Sequence, residues 1–460
     1  AAHRFSSLSN SLRPQETEST MSQQQHEHPQ PATQSEDPSH YSRLVIVDYK
    51  DISADPADMD LSPLLERAFG GMSSSSSSAA SPLGIIAIRN IPHYTAAKTS
   101  FLPHAHSLAH LPPTYLEDTL SDPSSFYNAG WSHGKETLGR HRQPDWAKAS
   151  YYFNPITDEP GTEQERKDYP ASYPLNRWPD EEAFPQMANF KQSARTLGGI
   201  MREVVVHLTR HVDALAEKRV EGYPTGLLYR SMVGTEKVKG RLLYYFPLND
   251  EAAETEQTDV IHVKAESEVI ESTNTHDNDN KHHNTDKQPS NPSKSFDNWI
   301  GWHNDSGFLT ALAGDLYVDD ATGTALPPSH IDPRAGLYVT DRSGESIKVS
   351  IPEDCMAVQI GECLQILTGG AVAATPHCVR GPRPGWNDDG VKVARISFPC
   401  FVDAKPTFPL TMPEGCGREN VLESGVGRDK VPPLEERWTE NGMTFGNFLQ
   451  TSFEKYYDWK

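Results

Sequence analysis

Cysteine is scarce in this 460-residue chain: there are five, Cys355, Cys363, Cys378, Cys400 and Cys416, an odd number with no C-x-x-C pair. That spacing excludes a cysteine zinc cage and a disulfide scaffold, and it fits a reducing, cytoplasmic compartment. Long apolar runs are missing as well. No stretch approaches the roughly 18 consecutive apolar residues of a membrane span, so no membrane partner is expected. Basic residues are outnumbered, 42 Lys and Arg against 63 Asp and Glu, for a net charge of −21. Such a surface repels phosphate backbones, which argues against nucleic acid and anionic lipid as partners. The 36% of hydrophobic residues still suffices for one large domain or two ordinary ones.

Two segments have little to bury. Residues 1–42 are rich in Ser, Gln, Pro, His and Glu without apolar periodicity, which predicts a disordered tail. Its Arg4, Ser6, Ser7, Ser9 and Ser11 have a transit-peptide flavour, and Met21 offers an alternative start. The second segment, 250–297, carries twelve acidic and four basic side chains, so eight of the 21 excess negative charges lie in it. It reads as a mobile acidic insert. Its His276, His282 and His283 invite a metal, but a ligand cluster needs a rigid frame, and a solvated loop is the better reading. The serine run Ser73 to Ser78 is a shorter linker.

The remainder follows a clear order. Leu44 to Tyr49 and Leu83 to Arg89 read as strands. Met187, Phe190, Ala194, Leu197, Met201, Val204, Leu208, Val212 and Leu215 then step by three or four along one long helix. Asp180, Glu181 and Glu182 favour its N-terminal end. From Arg241 to Val402 short strands alternate with Gly, Pro, Asn and Asp turns, and Phe445 to Tyr456 form a closing amphipathic helix begun by Thr444. The expected fold is mainly β with flanking helices: a double-stranded β-helix (jelly roll) core, a long support helix and a C-terminal helix. The expected divisions are 43–180 (N-terminal α/β region), 181–239 (support helix and connection), 240–403 (core) and 404–460 (C-terminal extension). Trp131, Tyr151, Tyr152 and Phe153 are candidates to line a pocket, although aromatics in such a run more often belong to the core.

Three His-x-Asp pairs are present: His211/Asp213, His303/Asp305 and His330/Asp332. The first lies in the long helix, where two residues turn the chain by about 200° and separate the side chains. The third sits between prolines with no strand to fix it. The second lies in Gly301-Trp-His-Asn-Asp-Ser-Gly, and if that segment is extended both side chains project to one face. His377, in Ala374-Thr-Pro-His-Cys-Val, is the obvious third ligand. Two imidazoles and one carboxylate form the facial triad of non-haem Fe(II) oxygenases. Arg395 and Ser397, alternate residues of one strand, suit a carboxylate; a buried arginine otherwise requires an acidic neighbour.

These residues match a family pattern. Gly301-Trp-His-Asn-Asp-Ser-Gly, Gln359-Ile-Gly-Glu-Cys-Leu-Gln-Ile-Leu-Thr-Gly-Gly, Ala374-Thr-Pro-His-Cys-Val-Arg and Arg395-Ile-Ser resemble the iron- and 2-oxoglutarate-dependent dioxygenases of the isopenicillin N synthase-like group. Gly336-Leu-Tyr-Val and Asp354 to Glu362 resemble a plant and algal subgroup. The resemblance implies Fe(II) held by His303, Asp305 and His377, with the distal carboxylate of the cosubstrate 2-oxoglutarate held by Arg395 and Ser397. Tyr244 and Tyr245 fall where the family places an aromatic strand beside the cosubstrate, and Tyr245 is the one assigned to it. It further implies O2 consumption, oxidation (by default hydroxylation) of a small-molecule substrate, succinate and CO2 as co-products, and a monomer. This chain departs from the pattern in three places. Phe246 stands before Pro247 where relatives carry tyrosine. Eighteen positions separate His377 from Arg395, with Gly385 to Gly390 inserted between them. The acidic segment 250–297 is a further insertion. Two other readings stay open: an oxidase of this fold that uses no 2-oxoacid, and a non-catalytic jelly-roll binding protein.

Overall fold

The computed structural model describes residues 43–71, 81–136, 145–248, 299–383, 386 and 390–458. The expected tail, the serine linker, the acidic insert with its three histidines, and all but Trp386 and Gly390 of the Gly385–Gly390 insertion lie outside the described residues. The strands in chain order are β1 (Val45–Asp48), β2 (Ile85–Arg89), β3 (Gly130–His133), β4 (Lys148–Phe153), β5 (Val238–Tyr245) and β6 (Ile300–His303). There follow β7 (Leu309–Asp319), β8 (Gly336–Thr340), β9 (Ser346–Lys348), β10 (Met356–Ile360), β11 (His377–Arg380) and β12 (Val393–Val402). Eight form a major sheet in the order β1-β2-β10-β7-β12-β5-β4-β3, and four form a minor sheet, β6-β11-β8-β9. Only β1 and β2 run parallel; the other described pairs are antiparallel. The arrangement is a jelly roll with flanking helices, as the strand spacing predicts.

Side-chain alternation assigns each strand face a role. On β5, Leu242 and Tyr244 enter the main core, which they share with Phe190, Leu197, Met201 and Leu208 of the long helix. Leu243 and Tyr245 point the other way, joining Trp299, Ile300, Tyr317, Val379 and Val393 between the two sheets. The aromatic run of β4 divides in the same manner. Tyr151 and Phe153 are core residues, and so is Trp131 of β3, whereas Tyr152 turns toward Arg241 on the opposite face.

The long helix spans Phe190–Arg219, starting later than the apolar stripe suggested because Pro185–Met187 form a separate 3-10 turn. Asn189 precedes it in the left-handed conformation, which asparagine tolerates. The acidic residues upstream do serve this end: the Glu181 carboxylate accepts from the Asn189 and Lys191 amides, both at 2.9 Å. The C-terminal helix is Phe445–Asp458, and the Thr444 hydroxyl accepts the Asn447 amide at its start.

Candidate metal and cosubstrate site

Adjacent strands of the minor sheet supply the two histidines. β6 ends at His303, and antiparallel pairing sets His377, the first residue of β11, directly opposite. Their ring centroids lie 4.2 Å apart. Asp305 is not part of a strand pair; it lies just beyond the end of β6, and other bonds fix it. Its backbone carbonyl accepts the Glu362 amide at 2.8 Å, and its carboxylate accepts the Thr310 hydroxyl at 2.6 Å. Gly361 allows this close approach, because a Cβ there would sit 2.2 Å from the Gly307 carbonyl oxygen.

One ligand atom from each of His303, Asp305 and His377 lies within 4.8 Å of the other two. The donor chemistry fits a cation. His303 Nδ1 contacts the Gly301 carbonyl at 2.9 Å, and His377 Nδ1 contacts the Thr375 carbonyl at 3.1 Å. A carbonyl only accepts, so each Nδ1 carries the proton and each Nε2 keeps a lone pair for a metal. Burial, and then the neighbouring His377, pushes His303 down to about 4, so its imidazole is neutral near pH 7.

The other two His-x-Asp pairs are structural. His211 Nε2 contacts the Ile52 carbonyl, while Asp213 accepts the Tyr223 hydroxyl and the Leu228 and Tyr229 amides. Asp332 is fully buried and holds Arg383 through its backbone amide and its guanidinium.

Arg395, Ser397 and Tyr245 share the inner face of the major sheet, with Arg395 opposite Tyr245 and Ser397 opposite Leu243. The Arg395 guanidinium is buried 4.7 Å from the Tyr245 ring centroid and donates through Nη2 to Asp315. Its Nε and Nη1 are buried with no hydrogen-bond partner among the described residues. Burial opposes the Arg395 charge, but Asp315, Tyr245 and Tyr317 more than offset that and raise its pKa. A charged, half-satisfied guanidinium therefore retains donors for a second carboxylate. Tyr244 faces away, donating to Asp320 at 2.6 Å. Phe246, in the place of the family's tyrosine, packs on His133 and Tyr244.

A further group, which the sequence reading missed, braces the candidate metal ligands. Asn304, between His303 and Asp305, donates its side-chain amide to Glu362 at 2.9 Å and its backbone amide to the Tyr456 hydroxyl at 2.9 Å. Glu362 is gripped by both terminal nitrogens of Arg437, and both residues are almost wholly buried. The Arg437 guanidinium lies 5.4 Å from the Tyr456 ring centroid. Thr310, Asp315 and Tyr317 were also missed. The available signal was polar residues in apolar runs, such as Glu362 within Ile360-Gly-Glu-Cys-Leu.

No family model matches the chain. It is 28% identical over 139 residues to scopoletin 8-hydroxylase of Arabidopsis thaliana, a match covering 30% of this chain and 32% of that protein. The chain thus matches about a third of that relative's length. A full-length Neurospora crassa protein crystallised with α-ketoglutarate and 5-formyluracil superposes with a TM-score of 0.55 at 16% identity, over 90% of this chain and 96% of the other. A Caulobacter crescentus protein, described as a 2OG-Fe(II) oxygenase family member, gives 0.53 at 16% identity, over 90% and 99%. The fold is that of the 2-oxoglutarate- and Fe(II)-dependent oxygenases. Among the described residues no helix of this oxygenase fold is long and apolar enough to cross a membrane.

Proposed function

We propose that the chain is a non-haem Fe(II)- and 2-oxoglutarate-dependent dioxygenase that oxidises a small organic metabolite, by hydroxylation in the default case, releasing succinate and CO2. The observation that carries this reading is the convergence of His303, Asp305 and His377 on one point, with Arg395 turned inward and holding unused donors. In this reading His303, Asp305 and His377 hold the iron, and Arg395, Ser397 and Tyr245 receive the distal carboxylate of 2-oxoglutarate. Bound iron and cosubstrate supply the oxidising power to convert a C–H bond with O2. The chain's own residues do the rest. The Gly301 and Thr375 carbonyls fix the imidazole tautomers, Thr310 orients the Asp305 carboxylate, and Tyr245 and Tyr317 wall the guanidinium from water.

The relatives support a small substrate: one is named for hydroxylating scopoletin, and one was crystallised with a modified pyrimidine base. All five cysteines are free thiols, in keeping with a cytoplasmic setting. The test is a metabolite screen on purified, iron-loaded protein that follows succinate. One succinate per oxidised product is expected. Product formed without succinate would replace this reading with the 2-oxoacid-independent oxidase, and iron that does not bind would leave the binding-protein reading.

A further inference from the structure

Strand register places a set of cations on the wall of the major sheet that carries Thr310. Thr310 pairs with Phe401, and Phe401 pairs with Lys239, so these three side chains form one row across β7, β12 and β5. Thr310 touches the Asp305 carboxylate. Lys239 therefore lies two strands, roughly 10 Å, along the same face from a residue in contact with one candidate metal ligand, Asp305. Phe401 is partly exposed in a strand that is otherwise buried. Arg241 is next along that face of β5.

Charge balance separates these residues. Arg241 donates through Nη2 to both Glu136 oxygens, at 2.7 and 2.9 Å, and through Nε to Ser150. Glu136 also accepts from Tyr152 and Lys148, so its lone pairs are taken and it offers little to a cationic ligand. Lys148 is further paired with Asp145, and Lys237 with Asp403. Lys239 has only neutral partners, the Asn128 side-chain oxygen at 2.6 Å and the Ala171 carbonyl at 3.1 Å. Among the described residues no carboxylate pairs with it. Burial, reinforced by the Lys237 charge, pulls its pKa well down. An ammonium has three protons and two are used here, so a bound anion would supply the missing partner and offset the desolvation.

We propose that this wall is a substrate subsite for a carboxylate, with Lys239 as its anchor and Arg241 beside it, so that the oxidised metabolite is an organic acid. One ammonium without an acidic partner matches one negative charge. The inference rests on the dioxygenase reading and narrows its substrate class.

The test uses the full chain, anaerobic, loaded with Fe(II) and saturated with 2-oxoglutarate so that Arg395 is occupied. Benzoate, phenylacetate and 3-phenylpropanoate are each titrated beside their neutral amides, following the Fe(II)·2-oxoglutarate absorption band and the melting temperature. At least one acid is expected to bind about tenfold more tightly than its amide, the scale of one charge-assisted hydrogen bond. Lys239→Met should abolish that preference and Lys239→Arg should retain it. The proposal is overturned if no acid binds better than its amide, or if the preference survives Lys239→Met; should that variant not fold, the wild-type comparison decides. Absence of the absorption band in the wild type would defeat the dioxygenase reading and this inference with it. A normal band without acid preference defeats the subsite alone.

Discussion

Arg437 and Arg395 are both buried, and each is paired with an acid, yet their surroundings differ. Arg437 engages Glu362 with both terminal nitrogens and adds bonds to Ser452 and the Pro432 carbonyl, leaving Nε alone without a partner. Glu362 is 1% exposed and spends a further bond on Asn304. Arg395 bonds Asp315 through a single nitrogen and leaves two without a hydrogen-bond partner among the described residues, and Asp315 is 27% exposed. The first pair is closed and holds the fold around the candidate metal ligands. The second is open, with charge and donors left over. Partner saturation, rather than burial or the mere presence of a salt bridge, distinguishes Arg437 from Arg395, the arginine proposed to bind a ligand.

The largest expected effect lies outside both pairs. His303→Ala or Asp305→Ala should reduce iron-dependent succinate formation to background while circular dichroism stays native, because neither arginine pair is disturbed. Arg437→Met comes next. It strands the buried Glu362 charge and should cost about 3–5 kcal/mol in denaturant unfolding. A loss below about 1 kcal/mol would show that the closed pair is not structural. Arg395→Met should instead spare stability and weaken 2-oxoglutarate about tenfold or more, read from the concentration dependence of succinate release. Unchanged affinity would make Arg395 a second structural arginine and erase the contrast. The smallest effect belongs to Tyr456→Phe, which removes the acceptor of the Asn304 amide. It should cost about 1 kcal/mol, with a weaker Fe(II) titration as the companion readout.

Much of this was legible in the chain because it depends on local pattern. Alternation within Val393 to Phe398 and Gly336 to Thr340 located strands, and the stripe from Phe190 to Leu215 located the helix. The spacing of His303 and Asp305, together with His377 and Arg395, pointed to the candidate site, since chemistry restricts which residue types can serve there. The braces were hidden because they are pairings across long sequence separations. Arg437 lies 75 residues from Glu362, and Asp315 lies 80 from Arg395. Nothing in the local sequence of either partner specifies the other. The assignment of Tyr245 rather than Tyr244 to the cosubstrate side rested on resemblance, and the register of β5 shows the two side chains on opposite faces.

The bond between Tyr456 and Asn304 spans 152 residues. During translation the ligand-bearing turn leaves the ribosome long before the helix that clamps it. A nascent chain would thus carry His303 and Asp305 on an unbraced turn until that helix emerges. If these side chains hold iron, as proposed, tight metal binding would follow the docking of that helix.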